Sequence, residues 1–128
     1  MLIVDDDAEM LEVLTEMLAL VGAEVRAAPS AKGALQLLEE FHPEVVLCDI
    51  EMPGEDGYSF IRKVRARSAA RGGNVPALAL TAMARPEDRT QALAAGFQMH
   101  LAKPVDLGRL TRAVEDLSRL APSAVLAG

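Results

Sequence analysis

Four side chains of distinct chemistry each follow a short apolar segment of this sequence: Asp5, Asp49, Thr81 and Lys103. A carboxylate can attack an electrophile or bind a cation, a hydroxyl can donate to an anion, and an ammonium can neutralise negative charge. These are the groups that take up a phosphoryl group and stabilise its oxygens. Singly, Asp49 and Thr81 would be assigned to turns or helix caps, and Lys103 to the surface. Their common position after apolar segments favours a joint role.

The acidic residues near the N-terminus indicate a cation site. Asp5, Asp6 and Asp7 are consecutive, and Asp49 is expected at the same edge of the protein. Carboxylates this close repel one another, so either a cation lies among them or some of them stay protonated. A hard divalent cation, magnesium above all, is the simpler solution because it binds carboxylate oxygens, carbonyl oxygens and water. Its remaining coordination positions would take phosphate oxygens.

Strand and helix patterns alternate around these residues. Short apolar segments predict five strands, at residues 1–4, 24–27, 45–48, 75–80 and 97–102. Apolar residues at helical spacing predict helices at residues 8–21, 30–42, 56–72, 86–96 and 106–120, with the basic cluster 62–71 on the solvated face and end of the third. This alternation predicts an α/β fold, a five-stranded parallel sheet with helices on both faces. The carboxyl ends of the strands then share one edge of the sheet.

Length and composition fit one domain. The chain has 128 residues, 51% of them hydrophobic, which is enough for a single core. We expect the domain to cover residues 1–120 and residues 121–128 to form a flexible tail. With no long apolar run and no signal-peptide pattern, a cytoplasmic protein is expected. The net charge of −6 argues against a nucleic-acid surface, and the single cysteine, Cys48, is expected to be buried and unreactive.

The motifs of a known family are present. Residues 49–57 have the form D-x-x-M-P-x-x-D-G, and two strand ends carry Thr81-Ala82 and Lys103-Pro104. With the acidic pair after the first strand, this combination resembles the receiver domain of two-component response regulators over nearly the whole chain. The resemblance implies the flavodoxin-like (βα)5 receiver fold. Residues 97–105 are similar to receivers of hybrid histidine kinases, which favours a piece of a larger protein over a single-domain regulator.

The resemblance implies a role for each acidic residue of the motifs. Asp49 would be the phosphoryl acceptor. Asp5, Asp6 and Asp49 would hold Mg2+, or alternatively Mn2+, together with the main-chain carbonyl of Glu51. Asp7 would be the polar start of the first helix.

The same resemblance connects Thr81 and Lys103 with the phosphoryl group. Thr81 is similar to the switch hydroxyl of the family, and Lys103 to the lysine that contacts the acceptor and then the phosphoryl group. The peptide bond between Lys103 and Pro104 is expected to be cis. Phosphorylation is expected to shift the face made by the fourth helix, the fifth strand and the fifth helix.

Receiver domains imply particular partners. The phosphoryl group would come from a phosphohistidine on a histidine kinase or a histidine phosphotransfer domain. The chain would catalyse only its own phosphorylation and dephosphorylation, so it is not expected to be an enzyme with other substrates. Neither nucleic acid nor a membrane is expected as a partner, and we expect a monomer or a weak homodimer.

Two positions depart from the family pattern. His100 occupies a place where receivers usually have Tyr or Phe, so it is either a half-exposed filler or a switch residue that titrates near neutral pH. Glu51 places an acidic side chain at the mouth of the site. We hypothesise that Glu51 slows reaction with small anionic phosphodonors and alters hydrolysis, through repulsion and through its effect on water.

Two other functions share some of these features. A metal-dependent phosphohydrolase that forms an aspartyl phosphate usually has a second aspartate two residues beyond the nucleophile, where this chain has Glu51, and a cap for which this chain has no room. A phosphorylation-independent, receiver-like binding module would normally lack an acid, Thr81 or Lys103. Because none of these is missing, the sequence favours the phosphoacceptor.

Overall fold

The computed structural model describes residues 1–82 and 85–119. Its five strands form one parallel sheet in the order β2-β1-β3-β4-β5, and their bounds are Leu2–Val4, Arg26–Ala28, Val46–Asp49, Ala77–Thr81 and Met99–Ala102 for β1 to β5. The helices α1 to α5 are Ala8–Ala19, Ala31–Phe41, Gly57–Arg65, Pro86–Ala95 and Leu107–Ser118. The predicted α/β fold with a five-stranded parallel sheet is therefore confirmed. The predicted division between residues 1–120 and 121–128 lies outside the described residues.

Successive side chains of the central strands enter two separate cores, because a strand directs its side chains alternately to opposite faces. Leu2 and Val4 of β1 pack in one core, together with buried residues of α2, α3 and α4. Ile3 packs in the other core, with Leu14 of α1 and Leu110 of α5. The helices thus cover both faces of the sheet, as the alternation of elements predicted. Burial of both faces leaves the strand ends as the place for polar side chains.

The helix starts follow ordinary capping chemistry. Asp7 accepts hydrogen bonds from the N–H groups of Glu9 and Met10, which confirms its predicted place at the start of α1. Ser30 and Asp106 cap α2 and α5 in the same way. Within the described part of the chain, every helix is too short or too polar to cross a bilayer.

Some element bounds differ from the prediction. The third helix ends at Arg65 rather than at residue 72, and a separate 3-10 turn, Ala69–Arg71, follows it. The second strand lies at Arg26–Ala28, later than predicted, because its register is set by pairing with β1. The fifth strand begins at Met99, since the N–H of Phe97 is still bonded to Ala92 at the end of α4.

The basic cluster 62–71 is not wholly solvated, which corrects the prediction. Arg65 is partly buried, and it donates hydrogen bonds to the carbonyls of Gly96 and Gly73, both at 2.9 Å, and to Gln98 Oε1 at 3.0 Å. The side-chain oxygen of Gln98 also accepts the N–H of Ala77 at 2.8 Å. Arg65 therefore joins the end of α3 to the segments that precede β4 and β5, and its role is structural.

Candidate functional site

Strand register places the predicted site residues side by side. Val4 of β1 is paired with Cys48 of β3, so Asp5 and Asp49, the next residues, emerge together. Asp49 is paired with Leu80, which brings Thr81 to the same edge. The N–H of Lys103 bonds to the carbonyl of Thr81 at 2.7 Å. The four side chains singled out in the sequence thus meet at the carboxyl edge of the sheet.

Three carboxylates form the acidic part of this site. Asp5, Asp6 and Asp49 each offer an oxygen atom, and these atoms all lie within 4.8 Å of one another. Asp5 and Asp49 are buried, whereas Asp6 is exposed. Asp5 Oδ1 accepts the N–H of Asp7 at 2.9 Å, which fixes the orientation of the Asp5 carboxylate. A set of carboxylate oxygens at this spacing suits a hard cation such as magnesium.

Lys103 supplies the positive charge of the site. Its Nζ lies 3.1 Å from Asp5 Oδ2 and 3.1 Å from Asp49 Oδ1. Burial by itself would lower the pKa of Lys103, but its hydrogen bonds and the charges of Asp5 and Asp49 outweigh burial and raise it. Lys103 is therefore an ammonium at neutral pH. The peptide bond between Lys103 and Pro104 is cis.

The surroundings of Asp49 disfavour the negative charge of its carboxylate. Burial, followed by repulsion from Asp5, raises the pKa of Asp49 to about 6, although Lys103 offsets part of the effect. Asp49 Oδ1 is buried, and no well-oriented hydrogen bond reaches it from the described residues. A cation beside this oxygen would satisfy it and remove the repulsion between the carboxylates. The residues present therefore fit a divalent cation.

The loop between β3 and α3 is packed tightly behind Asp49. The N–H of Gly57 bonds to the carbonyl of Ile50 at 3.0 Å. A Cβ atom at Gly57 would lie 2.6 Å from the main-chain oxygen of Asp49, so only glycine fits. Asp56 caps α3 by accepting the N–H of Ser59 at 2.9 Å. The Asp-Gly end of the sequence motif thus fixes the backbone that carries Asp49.

The side chain of Glu51 does not simply stand at the mouth of the site, as the sequence suggested. Its Oε1 accepts the hydroxyl of Thr81 at 2.8 Å, and its Oε2 accepts the N–H of Ala82 at 3.3 Å. Sequence reasoning missed Ala82 as a donor. The signal was its position directly after a strand-end threonine, where the sheet no longer pairs the N–H.

His100 lies away from the acidic cluster. It is paired with Ala79 in β5, on the face of the sheet opposite to Met99 and Leu101. Its Nε2 is buried without a hydrogen-bond partner among the described residues. Burial is the main cause of its lowered pKa; Arg89 lowers it further, while Asp88 and Glu51 act in the opposite direction. His100 is thus a neutral side chain at pH 7.

A family model for the response regulator receiver domain matches residues 1–115. The chain belongs to this receiver domain family. An uncharacterized 14.6 kDa protein of Leptolyngbya boryana is 46% identical over 114 residues, which cover 89% of this chain and 86% of that protein. Protein PetR of Rhodobacter capsulatus is 35% identical over 128 residues. The alignment spans all of this chain but only 52% of PetR, so this receiver matches about half of that protein.

Solved receiver structures have the same fold. The receiver domain of the sensor histidine kinase PA1611 of Pseudomonas aeruginosa is 33% identical, with a TM-score of 0.82. The comparison covers 91% of this chain and 94% of that one. The PA1611 structure has a magnesium ion coordinated in its active site cleft.

Proposed function

We propose that this receiver domain accepts a phosphoryl group on Asp49 from a phosphohistidine of a histidine kinase or a histidine phosphotransfer domain. The observation that carries the proposal is the contact of Lys103 Nζ with the buried carboxylate of Asp49 at 3.1 Å, beside two further carboxylates. Asp49 is thereby a positioned nucleophile with a positive charge next to it. Family membership supports the same role.

The transfer is an in-line displacement at phosphorus. A carboxylate oxygen of Asp49 forms the new P–O bond while the P–N bond of the donor breaks, and its electron pair stays on the imidazole nitrogen. The Lys103 ammonium neutralises charge on the transferred oxygens. The protein contributes position and electrostatics rather than further covalent chemistry. Hydrolysis of the acyl phosphate by water later restores the carboxylate, and the chain acts on no other substrate.

Asp5, Asp6 and Asp49 are the side chains that would hold Mg2+, or Mn2+, together with the main-chain carbonyl of Glu51. When bound, the cation supplies positive charge for the phosphoryl oxygens. The hydrogen bond from the Asp7 N–H to Asp5 Oδ1, at 2.9 Å, keeps one of these ligands oriented. The magnesium ion in the cleft of the PA1611 receiver supports this assignment.

Thr81 and Lys103 connect the phosphoryl group with the rest of the domain. The Thr81 hydroxyl would donate to a phosphoryl oxygen, and the segment after β4 would follow it. We expect the response to be a population shift of the face formed by α4, β5 and α5. His100 lies in β5 on this route. Its neutral imidazole, whose buried Nε2 has no hydrogen-bond partner among the described residues, makes it a candidate switch residue.

A second candidate function is a receiver-like binding module that works without phosphorylation. The hydrogen bonds of Glu51 to Thr81 and Ala82 favour it, because they already occupy two donors that a phosphoryl group would use. The intact acidic cluster and Lys103 favour the phosphoacceptor instead.

Intact-protein mass spectrometry distinguishes the two functions. The protein is incubated with phosphoramidate, a P–N donor, in magnesium or in chelator, next to Asp49→Asn and to Asp116→Asn, an acid on α5 outside the site. We expect the gain of one phosphoryl group in the parent and in Asp116→Asn, and none in Asp49→Asn or in chelator. A parent protein that gains nothing from phosphoramidate or from a phosphorylated histidine phosphotransfer domain would support the binding module.

A further inference from the structure

Both carboxylate oxygens of Glu51 are bound at the end of β4. Oε1 accepts the Thr81 hydroxyl at 2.8 Å and Oε2 accepts the Ala82 N–H at 3.3 Å. The two donors therefore converge on one anionic group. Thr81 is 3% exposed, so its hydroxyl has limited access to water as an alternative partner. The arrangement is a small anion site that a side chain of the same protein already fills.

A phosphoryl group on Asp49 would need the same donors. Asp49 and Thr81 lie at neighbouring strand ends, because Asp49 is paired with Leu80 in the sheet. The oxygens of a phosphoryl group are strong acceptors and would face the Thr81 hydroxyl and the adjacent N–H. One pair of donors cannot serve both the carboxylate of Glu51 and those oxygens.

We propose that Glu51 is an intramolecular competitor of the phosphoryl group and a specificity residue of this receiver. The proposal rests on the proposed function, because it assumes transfer to Asp49. The Glu51 carboxylate holds the Thr81 and Ala82 donors in the unphosphorylated protein, and phosphorylation exchanges one anion for another at this place. The free energy needed to displace Glu51 reduces the binding free energy of every phosphodonor and of every phosphoryl analogue.

The surroundings allow this exchange. Glu51 is an exposed residue that reaches the buried Thr81 from outside. It lines a groove of about 510 Å3, together with Tyr58, Arg85 and Asp88. The carboxylate can leave Thr81 through this groove without displacing core side chains. The exposed guanidinium of Arg85, which pairs with Asp88 at 3.0 Å, lines the same groove, and its positive charge would attract the released carboxylate.

Competition of this kind affects phosphodonors unequally. A small anionic donor meets the negative charge of Glu51 and has few other contacts with which to displace it. A protein donor binds over a larger surface, and that binding can offset the cost of displacing Glu51. Glu51 thus favours transfer from protein donors over small anions.

Substitution of Glu51 by glutamine separates charge from size. Glu51→Gln keeps the length of the side chain, but its amide has one acceptor oxygen where the carboxylate has two, and it carries no charge. Glu55→Gln is the matched control, since Glu55 lies in the same loop but accepts from Ser59 Oγ at 2.8 Å and pairs with Lys63 at 2.6 Å.

The test measures binding of beryllofluoride, a phosphoryl analogue, in magnesium, together with the rate of phosphorylation by phosphoramidate. The chain has no tryptophan whose fluorescence would report binding, so binding is followed by NMR. We expect Glu51→Gln to increase affinity and rate about tenfold, the effect of one charge-assisted hydrogen bond. The Ala82 amide resonance should also shift in Glu51→Gln without any ligand. Glu55→Gln should change none of these.

The outcomes separate this proposal from the proposed function. Equal affinity and rate in the parent and in Glu51→Gln, with Asp49 phosphorylated in both, would overturn the competitor role and leave the phosphoacceptor intact. If neither protein binds beryllofluoride or gains a phosphoryl group from any donor, both proposals are wrong.

Discussion

The ammonium of Lys103 lies 3.1 Å from Oδ1 of Asp49, a carboxylate oxygen that is otherwise without a partner among the described residues. The same ammonium lies 3.1 Å from Asp5. One positive charge therefore stands against two buried carboxylates, and the site has an excess of negative charge. Burial above all, and this imbalance in addition, raise the pKa of Asp49, and both underlie the first three predictions.

The stability of the metal-free protein should fall as pH rises from about 4 to 6, because the folded protein retains a proton on Asp49 that the unfolded chain has lost. Asp49→Asn removes the free-energy cost of ionising this buried carboxyl group in the folded protein. We expect it to be more stable than the parent at pH 8, by roughly 1 to 3 kcal/mol, with a difference that vanishes towards pH 4. Urea denaturation in chelator measures the effect. The account of Asp49 is contradicted if the variant is less stable than the parent at pH 8.

Removal of the Lys103 charge should damage both stability and transfer. Lys103→Met leaves Asp5 and Asp49 without their counter-charge, and we expect a loss of about 1 to 3 kcal/mol in chelator at pH 8. Phosphorylation by phosphoramidate in magnesium should slow by roughly 10²-fold. The double variant Lys103→Met, Asp49→Asn should recover part of the stability. A purely additive double variant would show that the two residues do not interact.

The adjacent acids Asp6 and Asp7 should differ in their effect on magnesium binding. Asp6 contributes an oxygen to the acidic cluster, whereas the carboxylate of Asp7 faces the N–H groups of α1. Asp6→Asn should weaken magnesium binding by about tenfold or more, as measured by calorimetry. Asp7→Asn is the matched control, since asparagine caps a helix as well as aspartate does. Equal losses in the two variants would argue against a localised site.

A methyl group at Gly57 should disturb the backbone of Asp49. The added Cβ of Gly57→Ala would lie 2.6 Å from the main-chain oxygen of Asp49. We expect a loss of about 1 to 3 kcal/mol in the free energy of unfolding, and slower phosphorylation. Gly33→Ala, inside α2 and with its nearest atom at 3.4 Å, should instead be neutral or stabilising by up to about 1 kcal/mol. Thermal unfolding of both variants tests the contrast.

His100 should weaken the fold in mild acid. Burial lowers its pKa below the usual 6.5, so the unfolded chain binds the proton more readily and stability is lost as pH falls below about 6.5. His100→Phe should therefore be more stable than the parent, by about 1 kcal/mol at pH 6 and more at lower pH. His42→Asn is the control, because His42 ends α2 with a φ of 51°, which asparagine also adopts. An unchanged pH profile in His100→Phe would exclude His100 as the titrating group.

The sequence was informative wherever function depends on position along a strand. Asp49 and Thr81 end β3 and β4, and Lys103 directly follows β5; parallel strands must bring these ends to one edge. Apolar periodicity and capping residues such as Ser30 therefore sufficed to predict the fold and which side chains meet at that edge.

Contacts between distant side chains were not predictable. The hydrogen bonds of Arg65 depend on where Gly96 and Gln98 lie in the folded chain, so a residue in a basic cluster was wrongly assigned to solvent. The hydrogen bond between Glu51 and Ala82 likewise depends on the direction that the Glu51 side chain takes, which no local pattern encodes. Rotamer choice and long-range hydrogen bonding lie outside the reach of propensity and periodicity.

The most direct test of the phosphoacceptor role is to locate the phosphoryl group chemically. Borohydride reduces an acyl phosphate to an alcohol, so a phosphorylated aspartate becomes homoserine, which peptide mass spectrometry can place in the sequence. After incubation with magnesium and phosphoramidate, or with a phosphorylated histidine phosphotransfer domain, we predict homoserine at position 49 and at no other aspartate. Homoserine at another position, or an unmodified Asp49 after incubation with both donors, would contradict the account.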